Sequence, residues 1–368
     1  MNYYVHELSL NKNALNTAGV KARDDFDRIL DELGFQPLPI EYHNLEQLDK
    51  LSRQLHIYSR LRDGFSRLER GDLLFIQFPF LQTTVLVDLL VRQLHQQGVT
   101  FVLLVHDLET LRHSKRITTS LLRRMKTALV EKGMLKTSSK IIVHNTSMLE
   151  LMVEKGISRE KLVSLEIFDY LIPGYEQTLR KGKLGKDKPV IIAGNLRPYK
   201  AAYAYKLPEN CAFNLYGVGY TGQLHLGSRY FGAFPPDDLP HVMRGSFGLV
   251  WDGESAETCS GIFGEYMRIN CPHKISLYLA AGIPVAIWRQ AAKADFVLQN
   301  RVGIVIESLS ELREAIDRLS AEDYAEMVRN AERIGARLRK GWYSKRAVHN
   351  CLEALQEDVA DEKNTCFV

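Results

Sequence analysis

Short, almost wholly apolar runs alternate along the chain with longer stretches of helical period, and the two patterns predict its strands and helices. LLFIQF (73–78) and FVLLVHD (101–107) are apolar at nearly every position, as strands buried on both faces are. Tyr3–Leu8, KIIVHN (140–145) and KLVSLEI (161–167) carry the same theme more weakly. Segments 20–33, 45–62, 82–97, 115–132 and 146–156 read as the helices between them. In the first, Phe26, Ile29, Leu30 and Leu33 share one face, and Gly34 suits a C-cap. The polar, lysine-rich stretch PGYEQTLRKGKLGKDK (173–188) has no period and reads as a linker. A second series follows, with PVIIAGN (189–195), FNLYGV (213–218), FGLVWDG (247–253), IPVAIW (283–288) and VGIVIES (302–308) as strands. PHKISLYLAAG (272–282), AKADFVLQN (292–300) and SELREAIDRL (310–319) read as its helices, and the tail from Ala321 to about Glu357 is helical.

Two consecutive βαβ series predict an α/β protein with two Rossmann-like, doubly wound parallel sheets. The boundaries read as 1–172 for the first domain, 173–188 for the linker, 189–340 for the second domain and 341–368 for a terminal helix. Ligands of open α/β sheets bind at the carboxyl ends of the strands, so two such domains are expected to enclose a cleft between those ends.

The composition narrows the class. With 45% hydrophobic and 25% charged residues, the chain is an ordinary globular one. A net charge of +4 over 368 residues does not suggest a nucleic-acid partner. Five scattered cysteines without a CxxC pair suggest neither a disulfide framework nor a zinc site, and no metal is expected. The start, MNYYVHELSLNK, reads as a strand and not as a signal peptide, and no run approaches the apolar length of a spanning helix. The expectation is a cytoplasmic protein.

The candidate chemistry lies after the strands. In GNLRPYK (194–200), Arg197 and Lys200 would stand at the ligand edge, where a guanidinium and an ammonium can clamp a diphosphate; a basic surface loop is the alternative. In NPHKISLYLAAGIP, Asn270 reads as a cap and Pro272 as the first helical residue. Lys274 then falls in the first turn, where the helix dipole disfavours a cation unless an anion binds there. An exposed lysine is the bland reading. His106 and Asp107 end an apolar strand, and Asp107 could take the proton of an attacking hydroxyl or simply cap a helix. Thr17 sits between the first strand and helix, suited to a phosphate contact or to a cap. Tyr216 ends the strand FNLY.

Other letters carry less. Glu257 and Glu265 stand at an E-x7-E spacing that we read as coincidence. Asp25-Phe26-Asp27 matches D-x-D but falls inside a helix, so Phe26 reads as core and both aspartates as solvated charges. Gly217 to Gly222 spells GxGxxG, but it is expected to lead into a loop and not a helix, which argues against a dinucleotide enzyme. LRHSKRITTSLLRRMK (111–126) carries six Lys/Arg and could lie against an anionic membrane, or be a solvated face.

FGLVWDGESAETCSGIFGEY followed by NPHKISLYLAAGIPVAIW resembles bacterial GT-B glycosyltransferases of two related groups. These are the β-1,6-galactofuranosyltransferases of O-antigen and capsule assembly, and the glucosyltransferases that extend O-linked GlcNAc on serine-rich-repeat adhesins. The string at 270–271 is NC where NN is the pattern. The resemblance runs from NTAG near the start to LRKGWYSKR (338–346). It implies the GT-B arrangement of two Rossmann-like domains, a UDP-sugar held by the second, and a last helix returning to the first. By position, Thr17, Arg197, Tyr216 and Lys274 match nucleotide-contacting residues of the adhesin group, with Lys200 able to substitute for Arg197.

The activity so implied is transfer of a hexose, with galactofuranose favoured, from a UDP-sugar to a hydroxyl of a cell-surface glycan, without a metal cofactor. Glucosyl transfer to an adhesin's GlcNAc and a catalytically silent UDP-sugar-binding subunit are the alternatives. A lipid-linked acceptor, peripheral contact with the inner face of the membrane, and self-association are all compatible with the sequence.

Overall fold

A computed structural model describes residues 1–8, 18–43, 45–112, 121–177 and 182–365. Two contact-dense units emerge. The first comprises Met1–Lys12, Phe26–Glu166 and Ser344–Val368, and the second Asn13–Asp25 and Ile167–Tyr343.

The first unit is built on six parallel strands, β1 (Asn2–Leu8), β2 (Gln36–Glu41), β3 (Leu73–Phe78), β4 (Thr100–Val105), β5 (Lys140–Val143) and β6 (Leu162–Ser164), in the order β2-β1-β3-β4-β5-β6. The apolar runs occupy the middle of the sheet: all six residues of β3 are buried, as are all four of β5. β2 is the strand that the hydrophobic pattern does not announce, because QPLPIE contains two prolines. It lies at the sheet's edge and, among the described strands, pairs with β1 alone, in register Tyr4↔Pro37 and His6↔Pro39. An edge strand needs no N–H on its outer side, so proline is tolerated there.

Helices Lys50–Phe65, Val87–Gln96 and Leu121–Thr137 precede β3, β4 and β5. Ile57, Leu61, Phe65, Val87, Leu90, Val91, Leu94 and Met134 send their side chains into one core with Leu74, Ile76, Phe101 and Leu103. The terminal helix Trp342–Thr365 contributes, from Ser344 onward, ion pairs of Arg346 with Glu166, Lys345 with Glu32 and Lys140 with Asp358.

Helix Ala18–Glu32 covers part of β1 and β3 through Phe26, Ile29 and Leu30. Leu33, expected on that face, is instead exposed: the helix has ended, and Gly34 at φ +82° turns the chain so that Phe35 N–H reaches Leu30 O.

The second unit repeats the plan with β7 (Val190–Asn195), β8 (Phe213–Val218), β9 (Arg229–Tyr230), β10 (Gly248–Val250), β11 (Val285–Trp288) and β12 (Gly303–Ile306). These too are parallel, in the order β12-β11-β10-β7-β8-β9. Helix His273–Ala280 packs against β10 and against helix Ala321–Leu338, and its residues Ile275 to Ala280 are all buried. The helical tail is two helices, broken before Trp342 at Gly341, whose φ is +68°. The letters Gly217 to Gly222 run from the end of β8 into an irregular segment, with no helix following.

Candidate functional site

The carboxyl edge of the second sheet gathers the loops after β7, β8, β10, β11 and β12. Beyond β10 the chain runs Trp251-Asp252-Gly253, and Lys274 comes down onto it from the first turn of helix His273–Ala280. Lys274 Nζ donates to Trp251 O at 2.6 Å and to Asp252 Oδ1 at 3.0 Å. The cation that the helix dipole disfavours is therefore neutralised by a protein carboxylate, and by a carbonyl as well. An ammonium has three N–H donors; among the described residues two are used here, which leaves one for a ligand. The helix cap differs from expectation: Pro272 is the N-cap, and Asn270 Oδ1 is a buried acceptor with no partner among the described residues.

The loop after β7 is tied to the same place by its backbone. Gly253 N–H donates to Lys200 O, and Tyr203 N–H to Gly253 O, both at 3.3 Å. Gly253 has φ +109°, and a Cβ there would strike Ser260 O, so glycine is needed for the loop after β10 to fold back on itself at this point. Lys200 Nζ stands 5.5 Å from the centre of the Phe263 ring. Arg197 is the N-cap of the short helix Pro198–Ala201; its N–H donates to Asn195 Oδ1, and its exposed side chain lies across Gly219, where a Cβ would collide with it. Lys274, Lys200 and Arg197 thus occupy connected loops at one sheet edge.

Tyr216 is placed otherwise. It is 1% exposed, its ring stacks on Phe231 with centroids 4.8 Å apart, and its hydroxyl accepts from Arg244 N–H. The two glutamates of the E-x7-E spacing face different partners: Glu257 accepts from Ser308 Oγ, and Glu265 pairs with Arg268. Thr17 lies outside the described residues.

At the carboxyl side of the first sheet stands a hydrogen-bonded chain that sequence reasoning missed. His6 Nδ1 lies 2.7 Å from Asp27 Oδ2, Gln77 Nε2 donates to Asp27 Oδ1 at 2.6 Å, and His106 Nε2 meets Gln77 Oε1 at 2.6 Å. A carboxylate only accepts, so His6 carries its proton on Nδ1 and its basic nitrogen is Nε2. Gln77 directs its amide nitrogen to Asp27, so its oxygen receives His106 Nε2–H. The carbonyl of His106 in turn accepts from His144 Nε2 at 3.0 Å.

The D-x-D aspartates are therefore not solvated, contrary to the sequence reading. Asp27 is 8% exposed, and Asp25 is 2% exposed, bound to Lys21 Nζ and Leu171 N–H. Helical periodicity located the apolar face but was blind to polar partners on its flanks. Asp107 follows His106, half-buried, between β4 and the turn Glu109–Arg112, and its charge acts on the buried imidazole of His144.

Residues 2–167 match the glucosyltransferase 3-like N-terminal domain, and residues 190–351 match the glucosyltransferase 3-like C-terminal domain. The chain belongs to the glucosyltransferase 3-like glycosyltransferases. It is 37% identical over 227 residues to the β-1,6-galactofuranosyltransferase WbbI of Escherichia coli K12, an overlap of 60% of this chain and 66% of that protein. It is 22% identical over 342 residues to glucosyltransferase 3 of Streptococcus gordonii, covering 91% of this chain and 93% of that one.

Two solved structures share the GT-B fold of this glycosyltransferase. The lipopolysaccharide-biosynthesis glycosyltransferase WaaG aligns with TM-score 0.56 at 13% identity, over 94% of this chain and 98% of WaaG. Anabaena Alr3699/HepE, crystallised with UDP and glucose, aligns with TM-score 0.56 at 12% identity, over 96% and 99% of the two chains. Both curated relatives are hexosyltransferases by name, and this transferase is one of that kind. Among its described residues, no group of three or more His, Cys, Asp or Glu could hold a metal ion, and no helix is long and apolar enough to cross a membrane.

Proposed function

We propose that the transferase moves a hexose, galactofuranose in preference, from a UDP-sugar to a hydroxyl of a cell-surface glycan, acting on the cytoplasmic side. The observation that carries the donor half is the linkage Lys274–Asp252–Gly253–Lys200, with Arg197 beside it, at the carboxyl edge of the second sheet. Three cations on connected loops suit a diphosphate. They would stabilise the charge that develops on UDP as the glycosidic bond breaks, by fixed side-chain electrostatics and without a metal ion. The 37% identity to a galactofuranosyltransferase favours that sugar.

The acceptor belongs, on this reading, to the first unit, where Asp107 would take its proton. His6 is the rival base, favoured by one observation: Asp27 already holds its ring in the tautomer that leaves Nε2 basic. Glucosyl transfer to a GlcNAc-bearing adhesin is the second reading, supported by the full-length similarity to glucosyltransferase 3.

UDP release measured with UDP-galactofuranose and with UDP-glucose, each offered a glycan acceptor without added metal, separates the two. Turnover of UDP-galactofuranose alone is the expected result. Turnover of UDP-glucose alone selects the second reading, and no release from either donor sinks both.

A further inference from the structure

Half of the fourteen large hydrophobic side chains exposed among the described residues fall in one region of the first unit. They are Leu51, Leu55, Leu81, Val85, Leu89, Met125 and Leu129, each between 39% and 69% exposed. Their placement follows from topology. The crossovers β2 to β3, β3 to β4 and β4 to β5 all step the same way across a parallel sheet, so right-handed connections put helices Lys50–Phe65, Val87–Gln96 and Leu121–Thr137 side by side on one face. Contacts bear this out. Gln54 reaches Thr83 O and Val85 N–H, and Arg53 reaches Gln82, while Gly133 approaches Asp88 so closely that a Cβ would not fit.

Six of the seven apolar residues sit in the amino-terminal halves of these helices or just before them, and Leu129 stands at the midpoint of its helix. In a parallel α/β sheet those halves lie beside the carboxyl ends of the strands, the edge where ligands bind. The apolar surface thus borders the edge that carries His6, Gln77 and Asp107. Charge accompanies it: helix Leu121–Thr137 exposes Arg124, Lys126, Lys132 and Lys136, and its described acidic residue is Glu131. Glu131 is buried and accepts from Glu109 N–H and Thr110, so its charge faces inward. Met125, Leu129, Lys132 and Lys136 follow one another at i, i+4, i+7 and i+11, forming one exposed stripe.

We infer that this face seats the transferase on an anionic phospholipid surface, with the acceptor edge of the first sheet turned to the bilayer. Lysines and arginines beside shallow apolar side chains are what an anionic interface attracts and holds, whereas a protein partner would have to supply matching carboxylates. Such seating suits an acceptor whose glycan is carried on a lipid. The surface itself is observed independently of the UDP-sugar reading, so the two can fail separately.

The test is co-sedimentation of the full chain with vesicles of phosphatidylcholine alone and of phosphatidylcholine mixed with phosphatidylglycerol. Binding is expected to the mixed vesicles and to weaken as salt is raised. Lys126→Glu with Lys132→Glu should lower the partition coefficient roughly tenfold or more, and Leu89→Glu with Leu129→Glu likewise. Leu226→Glu, at a fully exposed leucine of the second unit, should leave it unchanged. Unaltered thermal unfolding and UDP binding in the same variants establish that they are folded. Equal pelleting of the wild type with and without vesicles would overturn the assignment. So would self-association of the free protein that Leu129→Glu abolishes, because the face would then be covered by a second copy.

Discussion

Lys274 and Asp252 form an ion pair at the carboxyl end of β10, with both side chains largely shielded from water. Each makes the other tolerable: the pair sets a cation in a helix's first turn and a carboxylate in a nearly closed loop. Removing one partner therefore does two things, and the experiment must separate them.

Lys274→Ala should lower kcat/KM by about 2–4 kcal/mol in barrier, the usual cost of a lost electrostatic contact to developing charge. It should also reduce thermal stability, since Asp252 loses its counter-charge. The double variant Lys274→Ala with Asp252→Asn should recover stability but not turnover. Recovery of both would make Lys274 a purely structural residue.

The His6–Asp27 contact predicts a shift in base strength. Asp27→Asn keeps the shape but removes the charge that favours an imidazolium, so the acid limb of the kcat profile against pH should move to lower pH and kcat should fall. His6→Gln and Asp107→Asn measured alongside identify the base by the larger loss. An Asp27→Asn enzyme with the wild-type profile would show that the pair only fastens the helix to the sheet.

Burial holds two imidazoles neutral. His144 in the first unit and His273 in the second are each pushed down to about 4 by desolvation, which outweighs the Asp107 charge near His144 and the hydrogen bonds of both rings to backbone carbonyls. The folded value lies below the unfolded value near 6.5, so the unfolded chain takes up protons first and stability falls with acid. The contribution is complete above pH 6.5 and fades between 6.5 and 4, reaching about 3 kcal/mol per imidazole at most. Urea midpoints at a series of pH values should decline over that window, and His144→Gln or His273→Gln should flatten the decline.

Cys211, Cys259, Cys271 and Cys351 are buried. Burial pushes the thiols of Cys211 and Cys351 up, to about 11 and about 12. Little thiolate exists at neutral pH and reagents have no access, so a disulfide exchange reagent should titrate these four only after denaturation. Rapid labelling of any of them in the native enzyme would contradict this burial.

Much of the fold was legible because it rests on apolar runs. LLFIQF and FNLYGV became β3 and β8 residue for residue, since strands covered on both faces cannot disguise their composition. β2 and β9 were not legible: one is interrupted by Pro37 and Pro39 and the other is two residues long, so neither has a periodicity to read. The site divides in a similar way. Basic residues after strands could be proposed from spacing, and Arg197, Lys200 and Lys274 do lie on linked loops. That Lys274 faces Asp252, or that Asp27 joins His6 to Gln77, could not be read, because the partners lie 22, 21 and 50 residues apart and meet only through the sheet.

The two prolines of β2 have a further consequence. In a parallel strand, alternate residues turn both backbone groups to the same side, and those facing β1 must be the ones that keep an N–H. Pro37 and Pro39 accordingly turn outward, and that rim of the sheet offers carbonyls without the donors between them that a recruited strand would need. A newly made chain that reaches this stage before its neighbours have folded presents a rim on which foreign strands cannot grow. What looks in the sequence like a defective strand lets a crowded population of folding chains remain separate molecules.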